Sequence, residues 1–196
     1  FLWGTLAGAG SGLSARVVTH HQVEGWHGGR LKVMKRRIYK RLACRVIERH
    51  VAVCESVKSS LIADGISEGK ITVIPNGTDV DAFGHEVDRR AARRKYGLSD
   101  GIFVLGMVGR CSIEKGGEVF LGALKALRRM GVQCEGFIAG DGPQRSRWQA
   151  TAEDWGLKKH VAFLGNVPHD RISEVIHCMD VAVVPSHAEA LSLALI

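Results

Sequence analysis

The chain has 196 residues, 45% of them apolar, and a formal charge of +7. That is enough for one large packed domain or parts of two, and no run approaches the roughly 20 apolar residues that a bilayer-spanning helix needs. Five widely spaced cysteines without a CxxC pair argue against a disulfide framework and for a reducing compartment, and nine histidines without an HExxH give no reason to expect a metal.

Residues 1–14 are small and glycine-rich, but Gly8, Gly10 and Gly12 do not make a dinucleotide loop, because the third glycine comes one place early and no strand can precede it. Residues 15–19 read as a strand that brings His20 and His21 to its carboxyl end, where open α/β sheets place their ligands. The most basic segment is 28–49. Leu31, Met34, Ile38, Leu42 and Val46 recur there at helical spacing, so it reads as a helix with one buried stripe and a cationic remainder. Such a face suits either solvent or an anionic membrane surface; without interleaved aromatics or a recognised motif it does not suit nucleic acid.

A strand is expected over 51–54, then a helix over 57–64 with Ser56 as its N-cap and Gly65 at its end, then a strand over 71–74. This alternation is that of a parallel sheet. Pro75, Asn76, Gly77, Thr78 and Asp79 interrupt it, and the domain boundary is placed there, 1–79 against 80–196, with Asn76 and Gly77 as a hinge.

A basic helix over 88–96 opens the second alternation. The near-continuous apolar run 102–108 is a strand covered on both faces. Gly109 then turns the chain, Arg110 and Lys115 set two cations beside the exit, and an amphipathic helix over 118–130 is expected to follow at once. Together these make a phosphate seat. Guanidinium grips two oxygens, lysine adds a point charge, and the first amides of the helix add partial positive charge. It is neither a GxxxxGK[ST] loop nor a GxGxxG. Strands over 135–139, 161–164 and 181–184 alternate with helices over 144–155 and 170–179, so Gly140, Gly142 and Gly165 fall just after strands, on the edge that carries Gly109.

Several motifs now stand in a familiar order: Thr19-His20-His21, Ile74-Pro75-Asn76-Gly77-Thr78-Asp79 with Phe83, Gly109-Arg110 with Lys115-Gly116, Ala139-Gly140-Asp141-Gly142-Pro143, Phe163-Leu164-Gly165, and Pro185-Ser186 with Glu189. In this order the chain resembles a retaining GT-B glycosyltransferase of the glycosyltransferase 4, or group 1, family. The resemblance implies an α/β fold of two Rossmann-like domains facing across a cleft, both truncated here, with the donor held by the second and the acceptor by the first.

It further implies that Arg110 and Lys115, with the Gly109 amide, hold the diphosphate of a UDP- or GDP-sugar. Leu164 and Gly165 would border the base, Glu189 would bind sugar hydroxyls, and the amides at Ala190, Leu191 and Ser192 would face sugar and phosphate. His21 matches the sugar-facing histidine better than His20 does. Glu189 and His21 are thus the catalytic candidates. No cofactor and no metal are implied, since the nucleotide sugar is a co-substrate. The acceptor would be a sugar or lipid-linked saccharide, in envelope or polysaccharide synthesis in the cytoplasm at the inner face of a membrane, with a peripheral anionic membrane contact through the basic helix.

The family's second glutamate would fall one residue past Ile196, and the opening of the first domain is missing, so the chain reads as an internal fragment. Exposed strand edges lead us to expect the piece alone to fold poorly and be inactive. Two competing readings are a non-catalytic nucleotide-sugar binder and an NAD-dependent α/β enzyme, the second disfavoured by the missing GxGxxG.

Overall fold

The computed structural model describes residue 12 and residues 15–21, 46–83 and 87–192. The glycine-rich start, most of the expected basic helix over 28–49 and the run after Ser192 lie outside the described residues. The chain divides into two compact units, residues Phe1–Gly77 with Ala188–Leu193, and residues Thr78–His187 with Ala194–Ile196.

In the first unit, β1 (Val17–His20), β2 (Arg49–Ala52) and β3 (Ile71–Val73) form a parallel sheet in the order β1-β2-β3. Helix α1 (Glu55–Ala63) buries Val57 and Leu61 with Ala52, Val53, Ile66 and Ile71. Strand β2 starts and ends earlier than expected because Cys54, and not Ser56, is the N-cap: its backbone is extended and its carbonyl accepts from the Lys58 amide at 3.1 Å. The helix therefore opens on Glu55, an acid placed against the positive end of the helix dipole.

The second unit is a four-stranded parallel sheet of β4 (Phe103–Val108), β5 (Cys134–Ala139), β6 (Val161–Gly165) and β7 (Val181–Ala182), in the order β6-β5-β4-β7. Helices α2 (Arg89–Lys95), α3 (Gly117–Arg129), α4 (Arg145–Asp154) and α5 (Ile172–Cys178) connect the strands. Successive strand residues point to opposite faces. Leu105, Met107 and Ile138 meet Phe120 and Leu124 of α3 and Trp148 of α4, while Val104, Phe137 and Ala139 meet Ala92 of α2 and Val175 and Cys178 of α5. Both faces are thus roofed, which is why the 102–108 run carries almost no polar side chain.

The basic helix α2 is more than a solvated face. Arg93 is 4% exposed and donates to the carbonyls of Cys178 and Ile102 and to Asp180 Oδ2 at 2.8 Å. Asp180 also accepts from Arg89 and, at 2.7 Å, from the Val104 amide. Burial favours the protonated Asp180 carboxyl, but the amide and the two arginines prevail and hold its pKa below the usual value. One carboxylate thereby pins α2 and the start of β7 to the start of β4.

Candidate functional site

In the sheet order β6-β5-β4-β7 the chain winds outward from β4 through β5 to β6, then returns by α5 to lay β7 on the other side of β4. The direction of winding therefore reverses between β4 and β7. Loops leaving two such strands at their carboxyl ends diverge, and open α/β sheets bind ligands in the crevice left between them. Here those loops are 109–116 and 183–187.

They are locked together. The His187 amide donates to the Glu114 carbonyl at 2.8 Å. Gly116, in the left-handed conformation at φ 68°, lies so close under Pro185 that a Cβ would stand 3.0 Å from the Pro185 carbonyl carbon and nearer still to its oxygen. The loop after β5 joins from the other side: the Gly109 amide donates to Ala139 at 2.9 Å, the Cys111 amide to Asp141 at 2.9 Å, and the Gln144 amide to Cys111 at 2.9 Å. The Gly140 amide reaches the Gly165 carbonyl at 2.7 Å and brings in the loop after β6. The three glycine-bearing loops expected on one edge do form one hydrogen-bonded rim.

Two expectations are corrected. The helix does not follow the strand at once. Residues 109–116 intervene, with a short 3-10 turn at Ile113–Lys115, because the Gly109 and Cys111 backbone is first tied to the neighbouring loop. For the same reason the Gly109 amide is already engaged, so Gly109 offers close backbone approach and not a free donor.

Arg110 is exposed on the loop after β4 and makes no ion pair among the described residues. Lys115 is half-buried and closes the 3-10 turn, its amide donating to Ser112 at 3.0 Å. Between them stands Glu114, which sequence reasoning passed over. It accepts from Ser112 Oγ at 2.7 Å, and this bond, with its backbone hydrogen bond and the fields of Arg110 and Lys115, lowers its pKa despite partial burial. Leu164 and Gly165 belong to the same unit, at the end of β6; Leu164 packs beside Ala162 and Val167 in the core shared with α2 and α5.

The other expected site residues belong to the first unit. His20 and His21 part company at the end of β1. His20 turns inward, with Nε2 3.0 Å from Nδ1 of the fully buried His50, whereas His21 is exposed. Asn76 and Gly77 end that unit. Residues 188–193 also belong to it: Glu189 is exposed, Ala190 and Leu191 pack on the core under α1, and Cys54 Sγ donates to the Ala190 carbonyl at 3.3 Å. Among the described residues no helix is long and apolar enough to cross a membrane.

Parallel sheets and a winding reversal between β4 and β7, rimmed by glycine-bearing loops, place the second unit among the open, doubly wound α/β folds. The family comparisons narrow this. The chain matches the model of "Glycosyl transferases group 1" over residues 88–196 and that of "Glycosyltransferase Family 4" over residues 1–82, and it belongs to the group 1 glycosyltransferases. It is 34% identical over 131 residues to a 2-deoxystreptamine glucosyltransferase of Streptomyces kanamyceticus, which covers 65% of this chain and 33% of that protein. It is 33% identical over 132 residues to a D-inositol 3-phosphate glycosyltransferase of Corynebacterium jeikeium, covering 63% and 32%. Its fold is that of GT-B glycosyltransferases. The Anabaena protein HepE, solved with UDP-glucose, superposes with a TM-score of 0.84 at 22% identity over all of this chain and 54% of that one, and WaaG, a glycosyltransferase of lipopolysaccharide biosynthesis, with 0.72 at 19% identity over 91% and 52%. The chain thus spans about a third of the length of these curated relatives and about half of these structures.

Proposed function

We propose that the intact protein transfers a hexosyl group from a UDP- or GDP-sugar to an acceptor hydroxyl with retention of anomeric configuration. The single observation that carries the donor half of this reading is the point where the winding reverses, with Arg110 and Lys115 on the loop after β4 and open space over Gly109, where a Cβ would meet nothing within 4 Å. Cleaving the bond from the anomeric carbon to the diphosphate leaves negative charge on the departing oxygen. A guanidinium and an ammonium fixed at that place stabilise it without reorganising, and need no metal to do so. Lys115, on a 3-10 turn pinned at Ser112 and Glu114, is the better positioned of the two, and Arg110 is free to swing onto a bound phosphate.

Glu189 is assigned to the sugar hydroxyls, His21 to the sugar from the acceptor side, the amides of Ala190, Leu191 and Ser192 to sugar and phosphate, and the Asn76-Gly77 strap to hinge motion between the domains. The family's habits, with the inositol-phosphate relative and the structural likeness to WaaG, favour an acceptor sugar or lipid-linked saccharide at the inner face of a membrane. The test is a donor panel on the intact protein, following nucleoside diphosphate release and reading the anomeric configuration of the product by NMR. Turnover of a UDP- or GDP-hexose with retention supports the reading. Nucleotide binding without turnover favours the non-catalytic binder, and an inverted product removes retention.

A further inference from the structure

An open depression of about 510 Å³ lies at the amino end of β4, lined by Arg89, Arg90 and Arg93 of α2 and by Asp100, Phe103 and Asp180. Its size is that of a small-molecule site. The loop that carries Arg110 leaves the other end of the same strand. A parallel strand rises about 3.3 Å per residue, so the six residues of β4 hold the two places roughly 20 Å apart. The depression is therefore no part of the donor edge.

Three guanidiniums here face two carboxylates, and they are not equally engaged. Arg93 uses Nε, Nη1 and Nη2 on Cys178, Ile102 and Asp180. Arg89 gives Nη2 to Asp180 and to the Met179 carbonyl, and its Nε and Nη1 meet no protein acceptor among the described residues. Arg90 reaches only Asp100, with Nε 3.2 Å from Oδ2, and 76% of the arginine and 48% of the aspartate side chain are exposed. A pair so exposed is worth little and yields to a stronger anion. With Asp100 turned away, three cations face one carboxylate, a net charge of +2. Beside them the Phe103 ring is 42% exposed at the first position of β4.

We propose that this depression is a second ligand site, which binds a phosphomonoester with its phosphate on Arg89 and Arg90 and its organic group against Phe103. A phosphomonoester carries close to two negative charges above its second pKa of about 6, which matches the +2 left when Asp100 withdraws. Guanidinium donors take phosphate oxygens in pairs, and three oxygens outbid the two of a carboxylate. Asp180 stays in place, held by Arg93 and the Val104 amide, so the ligand displaces the exposed carboxylate and not the one that clamps β4. The site is independent of the donor reading above.

Calorimetric titration at pH 8 with phenyl phosphate, inorganic phosphate and benzoate tests this. The intact protein is used with Arg110→Ala and Lys115→Ala in place, so that the loop after β4 adds no phosphate binding. Phenyl phosphate is expected to bind saturably and more tightly than either of the other two. Adding Arg90→Ala should weaken it about tenfold, and adding Asp100→Asn should tighten it about threefold, because the competing carboxylate is gone. A misfolded variant cannot produce that gain. Absence of saturable phenyl phosphate binding would overturn the proposal, as would affinity unchanged by Arg90→Ala, or unchanged or weakened by Asp100→Asn. Inorganic phosphate binding as tightly as phenyl phosphate would overturn the ester and the role of Phe103, and benzoate binding as tightly would overturn the dianion.

Discussion

Gly140 joins the loop after β5 to both of its neighbours, and the demand on it can be separated into two parts by substitution. It sits at φ 145°, a region that side chains rarely enter, and a Cβ would lie 2.8 Å from the carbonyl carbon of Gly109 and closer to its oxygen. Gly131 is also at positive φ, 85°, but a Cβ there meets nothing within 4 Å. Gly131→Ala therefore isolates the conformational cost, about 1–2 kcal/mol. Gly140→Ala carries at least that strain and adds an overlap with rigid backbone that forces the loops apart, a further ~1–3 kcal/mol. Its total is about 2–5 kcal/mol, and the bonds Gly109 to Ala139 and Gly140 to Gly165 must shift together. Urea denaturation of the intact protein and both variants measures the difference. A Gly140→Ala cost within 0.5 kcal/mol of Gly131→Ala would show that the two loops are not in the close contact described, and the rim would lose its basis.

Three further outcomes are expected. Asp180→Asn leaves the buried Arg93 without its countercharge and should destabilise by about 2–4 kcal/mol, the lower end allowing for the partial exposure of Asp180, as read by denaturant midpoints. Because the Asp180 pKa is lowered on folding, its contribution is fully present above the unfolded carboxyl pKa and lost as pH falls through the folded one, so the gap between wild type and Asp180→Asn should close in acid. Tyr96 is pushed up to about 12 by burial and then by its hydrogen bond to Glu174, so its contribution holds below the usual phenol pKa and fades as pH rises toward 12. The NMR titration of the Tyr96 ring signal, assigned by its loss in Tyr96→Phe, checks this, and a midpoint near pH 10 would refute it. Finally, Arg110→Ala or Lys115→Ala should reduce donor kcat/KM by about 30-fold, of order 2 kcal/mol, with the loss smaller at high salt; unchanged kinetics for both would remove the phosphate assignment.

What could be read in the sequence follows the range of the interactions involved. Strand β4 and helix α3 were legible because each is written within one segment, the strand as a short continuous apolar run and the helix as an apolar stripe with a period of about 3.6 residues. The placing of Arg110 and Lys115 on one loop at a strand end was legible because a strand end, a glycine and a basic pair lie within a few residues. The 3-10 turn at Ile113–Lys115 was not, since it exists only because Gly109 and Cys111 are tied to the next loop, some 30 residues on. The Asp180 clamp spans 87 residues to Arg93, and the His20 and His50 pair spans 30, so no local pattern announces either. The Ser56 cap failed for a smaller reason: Glu55 is as acceptable in a first turn as a serine is at a cap, and the helix started on it.

The central claim is that a diphosphate docks where the winding of the second sheet reverses, between the loops 109–116 and 183–187. A crystal of the intact protein soaked with UDP or GDP measures this directly. The account predicts phosphate oxygens within hydrogen-bond distance of the Arg110 guanidinium and the Lys115 ammonium. Clear nucleotide density elsewhere, with both side chains directed into solvent, would contradict it.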